Sequence, residues 1–210
     1  GLVSLSGFNS SSNMTVYGSS SSDSMNLNID RSSSPPAGSS SITGNLTIAL
    51  GAGNDSILSA KLKDGDSVDM GDGDDVAYIM IGGSYGTPTL SAADINKLDG
   101  GSGIDLIAFT ESTGSNGQVL RANTAGATNF ENLLGSSYQE SLLGDANDNW
   151  IAGDGGVDTL YGLAGDDHLT AGAWNIFNRS GDSEILRYVN DSNNTDDDVL
   201  FGGQGNDALY

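Results

Sequence analysis

Three aspartates in this sequence stand in the same local setting. Asp158, Asp167 and Asp207 each follow one glycine by five residues and another by two, and each is followed two residues later by leucine. Written out, the segments are GDGGVDTLY (153–161), GLAGDDHLT (162–170) and GGQGNDALY (202–210). Glycine accepts positive φ, so a chain of this kind turns sharply enough for main-chain carbonyls and the carboxylate to converge. The three residues after the turn read as a short strand with the aliphatic one pointing inward. Stacked turns enclose an all-oxygen cage, which suits Ca²⁺ and its roughly 6–8 oxygen ligands at about 2.3–2.6 Å.

The period extends backwards without a gap. Segment 144–152 carries Asn149 and Ile151 at positions six and eight, 135–143 carries Glu140 and Leu142, and 126–134 carries Glu131 and Leu133. That makes five tandem nonapeptides over 126–170. Isolated copies lie upstream at 51–57 (GAGNDSI), 71–77 (GDGDDVA) and 100–107 (GGSGIDLI), and Gly18, Asp23 and Met25 hold positions one, six and eight near the start. With two nonapeptides to a coil, residues 18 apart stack, pairing Asn149 with Asp167 and Glu140 with Asp158. Asn129, Tyr138 and Asn147 replace the fourth-position glycine, so those turns are expected to bind metal poorly and to act as a cap. The expected metal ligands are Asp55, Asp72, Asp75, Asp105, Asn149, Asp154, Asp158, Asp167, Asp198 and Asp207.

The tandem units resemble the repeats of the RTX family of secreted bacterial proteins. The resemblance implies an all-β fold, a calcium-bound parallel β-roll or β-solenoid, here with long irregular excursions. It also implies type I secretion as an unfolded chain, and folding outside the cell where calcium is plentiful.

Composition points the same way. Among 210 residues there are 31 Gly, 28 acidic residues and 7 basic ones, for a formal charge of −21. The acids are 24 Asp and 4 Glu. Asp favours turns over helix, which argues against a helical bundle. So large a charge on one compact domain is self-repelling and calls for a bound cation. The shortage of Lys and Arg makes a nucleic-acid partner or an anionic membrane unexpected. With no Cys there is no disulfide framework or thiol nucleophile. No apolar run of about 18 residues suggests a transmembrane helix, and no signal peptide opens the chain.

Several segments break the period. Residues 171–192 form a 22-residue insertion containing Trp174, Phe177, Arg179, Arg187 and Tyr188. If it loops out and the coil resumes near Asn193, then Asp158 pairs with Asp198 and Asp167 with Asp207. Asp191, Asn193 and Thr195 superficially suggest an EF-hand, but its sixth position is Asp196 rather than Gly and its twelfth is Gly202 rather than Glu. The first 41 residues hold 16 of the 30 serines, and alternation at Met25–Ile29 and Leu46–Leu50 reads as exposed strands joined by a flexible loop at 31–41. Residues 80–98 interrupt the period again, with a short helical turn expected over 92–98. The chain thus divides into a β-rich, degenerate part at 1–125 and a β-roll at 126–210. Both are expected in one domain, although a boundary at 110–125 is also compatible with the linker-like ESTGSNGQ.

No catalytic residues are expected, and the chain does not read as an enzyme. His168 is the only histidine and should face outward at position seven of its unit. The abundant Asp is already accounted for by calcium, so it says little about catalysis. The insertion suggests a binding role, since function often sits on excursions from a rigid scaffold. The chain resembles the peptide-binding domains of RTX adhesins. That resemblance implies a monomeric module on a bacterial surface, holding a peptide or protein C-terminus of a host or neighbouring cell through bound calcium. Trp174, Arg187, Tyr188, Asp191, Asn193 and Asp196 are the candidate ligand-binding residues. A carbohydrate-binding RTX module taking a glycan, and a purely structural secretion element, are the alternatives.

Overall fold

The computed structural model describes residues 2–4, 9–27, 41–60, 62, 65–81, 98–111, 118–123, 127–172, 174–175, 187–188 and 197–210. Among these every regular element is a β-strand. Nine parallel strands make the longest sheet: Leu2–Ser4, Ser24–Asn26, Ser56–Ala60, Val76–Ile81, Leu106–Glu111, Asn132–Leu134, Trp150–Ala152, His168–Thr170 and Ala208–Leu209. Their spatial order is their sequence order, so the chain winds as a solenoid that adds one strand to this sheet with each coil.

Two sheets form the other wall in succession. Met14–Tyr17, Leu46–Ala49, Ser67–Asp69, Leu98–Asp99 and Ala127–Thr128 make the second sheet, and Gln118–Arg121, Glu140–Leu143, Thr159–Ala164 and Val199–Gln204 make the third. The hand-over falls in one coil, where Gln118–Arg121 joins the third sheet and Ala127–Thr128 the second. Across it the nine-stranded sheet continues, with Leu106–Ala108 pairing Asn132–Leu134.

Position eight of the repeat explains the core. Met25, Ile57, Ala77, Ile107, Leu133, Ile151 and Leu169 stack in register along the first sheet, all of them buried. Ile48, Val68, Leu98, Leu120, Leu142 and Leu160 face them from the other wall and join the same apolar cluster. Each fully buried aliphatic side chain of this size contributes about 1.5–3 kcal/mol. The expectation of exposed strands near the N-terminus is corrected here. Met25, Leu27, Leu46, Ile48 and Leu50 are among the most buried residues, because one face of each strand closes onto the interior of the coil.

The regular coils advance 18 residues at a time, and the irregular ones lengthen at a single place. Residues 61–66, 82–97, 112–117 and 171–198 each leave the end of a first-sheet strand and return at the opposite wall. The turns on the other edge, which lead into the first-sheet strands, stay short. Of the helical turn expected over 92–98, residues 92–97 lie outside the described residues and Leu98 begins a strand. Residues 31–40 of the serine-rich loop lie outside them too, and Ser41–Ile42 pairs with Asn9–Ser10.

Candidate metal centre

Along the edge of short turns, the position-six side chains form a ladder. Each carboxylate accepts the main-chain N–H of the position-six residue one coil earlier. Asp23 N–H donates to Asp55 Oδ1 at 2.6 Å, Asp55 to Asp75 at 2.6 Å, Asp75 to Asp105 at 2.8 Å and Asp105 to Glu131 Oε2 at 2.8 Å. Beyond Glu131, whose carbonyl takes the Asn149 side-chain amide at 3.2 Å, the pattern resumes. Asn149 donates to Asp167 at 2.8 Å and Asp167 to Asp207 at 3.0 Å. A shorter ladder on the opposite edge links Glu140 to Asp158 at 2.8 Å and Asp158 to Asp198 at 2.7 Å. The pairings expected for Asp158 with Asp198 and Asp167 with Asp207 are those observed.

A second set of bonds runs the other way one residue earlier. Asp74 N–H donates back to Asn54 Oδ1 at 3.1 Å, and Ile104 N–H to Asp74 Oδ1 at 2.9 Å. In the later coils Asp166 N–H donates to Asp148 Oδ1 at 2.7 Å and Asn206 N–H to Asp166 Oδ1 at 2.9 Å. The N–H of Asn206 holds the Asp166 carboxyl below the usual range, with the Asn206 side chain adding to it.

Nine of the turns fall into two conformational classes. In six of them, ending at Asp55, Asp75, Asp105, Asp158, Asp167 and Asp207, the second and fourth positions have positive φ. Glycine fills the fourth position in all six. At Gly73 the reason is double: φ is +127°, and a Cβ would lie 2.5 Å from Gly53 O in the coil beneath. Asp154 (φ 76°) and Leu163 (φ 85°) take the second position without glycine.

Three other turns contain no positive φ and close on their own side chains. Asp23 Oδ2 accepts Ser19 N–H at 2.6 Å, Glu140 Oε2 accepts Ser136 N–H at 3.0 Å and Asn149 Oδ1 accepts Asp145 N–H at 2.7 Å. The second-position side chain then caps the fourth-position N–H, Ser19 to Ser21 at 3.2 Å, Ser136 to Tyr138 at 3.3 Å and Asp145 to Asn147 at 2.8 Å.

Three of the six glycine turns have an oxygen to spare. Asp105, Asp158 and Asp167 are fully buried, and the Oδ2 of each has no hydrogen-bond donor. A buried carboxylate without such partners is costly, so the cation-free state favours the protonated acid. Burial pushes Asp105 up to about 7, the N–H of Asp75 opposes it, and the charges of Glu131, Asp74 and Asp99 add to it. Asp158 is likewise pushed up to about 7 by burial, reinforced by Glu140, Asp198 and Asp154. Asp167 is raised for the same first reason.

These oxygens fit a hard cation. Among the described residues no three acidic or histidine side chains converge, so a cation in a turn draws on one or two carboxylates and on main-chain carbonyls for the rest. Its charge would neutralise the buried Oδ2 atoms where they stand. Asp55, Asp75, Asp105, Asp158, Asp167 and Asp207 hold position six of glycine turns, and Asn149 holds position six of a self-closed one. Asp198 accepts the Asp158 N–H from a segment, 193–198, that contains no glycine. Asp154 is half-buried at a second position. Asp72 stands apart: it is exposed at the third position, and its Oδ1 accepts the Ser102 hydroxyl at 2.6 Å.

Of the candidate ligand-binding residues, Trp174–Asn175 pairs antiparallel with Arg187–Tyr188, Trp174 opposite Tyr188. Asp191, Asn193 and Asp196 lie outside the described residues. Sequence reading missed two aromatic stacks on the outer walls. His168 does stand on the outer side of its strand, half-buried, but with its ring 4.6 Å from Trp150 and 6.3 Å from Tyr210. Tyr161 and Phe201 stack at 5.0 Å on the third sheet. The signal was available: Trp150 and His168, like Glu140 and Asp158, are 18 residues apart.

A parallel β-solenoid with buried, cation-seeking carboxylates in glycine turns is the architecture of a calcium-folded β-roll. Residues 134–173 and 194–210 match the RTX calcium-binding nonapeptide repeat, in four copies. These segments are RTX repeats, and calcium is the cofactor they take. The chain matches no curated protein and no solved structure.

Proposed function

We propose that this chain is a calcium-folded, extracellular ligand-binding module of a bacterial RTX adhesin, reached by type I secretion and acting as a monomer in adhesion and biofilm formation. The observation that carries this reading is the placement of the long segments. They leave the solenoid from one edge, while the carboxylate ladder on the other edge keeps its short turns. A scaffold that confines its length variation in this way presents a set of neighbouring excursions on a calcium-held frame.

The partner in this reading is a peptide or protein C-terminus. An anion meets a chain of charge −21 favourably only through a metal, so a terminal carboxylate would reach bound calcium. Trp174, Arg187 and Tyr188, with Asp191, Asn193 and Asp196, are the residues assigned to the rest of the ligand. Neither nucleic acid nor membrane insertion has a part in it.

An array of peptides with free and amidated C-termini, read with and without calcium, tests this, with a glycan array in parallel. Calcium-dependent binding lost on amidation is the expected result. Binding indifferent to amidation removes the carboxylate-to-calcium contact, and binding to glycans alone replaces the peptide with a carbohydrate. The unbroken nine-stranded sheet favours a second reading, a purely structural calcium-folded unit, for which silence on both arrays would speak.

A further inference from the structure

The matched repeats begin at residue 134, yet three of the six glycine turns lie before residue 106. Turns 51–55, 71–75 and 101–105 share the backbone form and the position-six aspartate of the later ones. Gly51 and Gly53, Gly71 and Gly73, and Gly101 and Gly103 hold positive φ at the second and fourth positions. Asp55, Asp75 and Asp105 are buried at position six. Asp105 Oδ2 has no donor and lies over the first residue of its own turn, where a Cβ on Gly100 would be 2.9 Å away. The corresponding distance from Gly153 to Asp158 Oδ2 is 2.6 Å.

Between the early and late glycine turns stand the turns ending at Glu131, Glu140 and Asn149. In the last two, the oxygen that a cation would use is already taken. Glu140 accepts the N–H and the hydroxyl of Ser136, and Asn149, which carries no charge, accepts the N–H of Asp145.

We propose that turns 51–55, 71–75 and 101–105 form a second calcium-binding block, outside the matched repeats, and that the self-closed turns at 136–149 separate it from the C-terminal block as a joint that needs no cation. This rests on the calcium reading of the glycine turns and adds that the early and late turns fill as separate blocks. The two blocks then fill independently. Calcium bound by Asp55, Asp75 and Asp105 orders the coils from 46 to 111, and calcium bound by Asp158, Asp167, Asp198 and Asp207 orders those from 153 onward.

The test uses the whole chain. Bound calcium is counted by equilibrium dialysis, and amide hydrogen exchange is followed by mass spectrometry across a calcium titration. Asp105→Asn keeps an acceptor for the Asp75 N–H while removing the charge. It should lower the calcium bound per chain. It should also raise about tenfold the calcium needed to protect Val76–Ile81 and Leu106–Glu111, leaving Thr159–Ala164 and His168–Thr170 within about twofold of the parent. Asp75→Asn, one coil away, should do the same, and Asp158→Asn should do the reverse. If the two early variants bind as much calcium as the parent while Asp158→Asn binds less, there is no second block. An equal rise for both groups of strands in any one variant overturns the joint. If neither Asp105→Asn nor Asp158→Asn changes the calcium bound, it is the calcium reading of the glycine turns that fails.

Discussion

The N–H of Asp158 donates to the carboxylate of Asp198 at 2.7 Å across 40 residues of chain, and Asp167 reaches Asp207 across the same interval. Subtracting the 22 residues of 171–192 leaves 18, the interval of the uninterrupted coils. The insertion therefore leaves the winding as it found it.

Deleting 171–192 should for that reason preserve the solenoid. The shortened chain is expected to show the same calcium-induced β-type circular dichroism as the parent while losing ligand capture on the arrays. Loss of the β signal in saturating calcium would mean that the excursion is part of the frame.

Chelation reverses folding in the calcium-filled parts. With EGTA the β-type signal should collapse, and millimolar calcium should restore it. Changing Asp158 and Asp167 together to Ala removes a buried carboxylate from each edge of the C-terminal coils and should raise the midpoint of that titration about tenfold. An unchanged midpoint would show that those turns do not hold the cation.

The response to pH is the opposite of the usual one for carboxylates. Asp105 and Asp158 are raised from 3.8 to about 7 in the cation-free fold, so between those values the folded chain holds protons that the unfolded chain has released. Their contribution to the cation-free fold is complete below pH about 4 and is lost as pH rises through about 7. The β-type signal that survives EGTA should therefore be larger near pH 4 than near pH 8. Equal loss of the signal at the two pH values would refute the assignment.

Two glycines in the C-terminal coils should respond differently to the same change. Gly165 has φ +118°, and an added Cβ meets the carbonyl of Asn147, so Gly165→Ala should cost about 1–3 kcal/mol or more. Gly155 has no such φ, and its nearest neighbour, the Cα of Ser137, would be 3.6 Å from the new atom. Gly155→Ala should therefore leave the melting temperature in calcium within about 2 °C of the parent, while Gly165→Ala lowers it by roughly 2–10 °C.

The C-terminal coils were legible in the sequence because there every local rule agrees. Gly156, Asp158 and Leu160 repeat as Gly165, Asp167 and Leu169, and the structure stacks each unit on the one 18 residues before it, Asp158 on Glu140 and Asp167 on Asn149. The early coils were harder to read. Asp23, Asp55, Asp75 and Asp105 are separated by 32, 20 and 30 residues, so no fixed period links them. What links them is that all the extra length lies on the far edge, which only the coordinates reveal. Strand alternation located Met25 and Leu46 but mistook a closed coil for an exposed surface, since period two is the same in both. The inward-turned carboxylates were the furthest from view. The sequence pattern places an aspartate beside a cation, whereas hydrogen bonding from the preceding coil is a property of the stack.

The opposed ladders through Asp74 and Asp75 have a mechanical consequence. Coils in such a solenoid are about 4.8 Å apart, and the bonds joining them lie along the stacking axis. A pull along that axis loads the coil interfaces in series, so the stack can open one coil at a time and its strength is that of its weakest interface. At each interface within the early glycine block, one side chain grips forward and its neighbour grips backward. Neither direction of pull finds a coil held from one side alone.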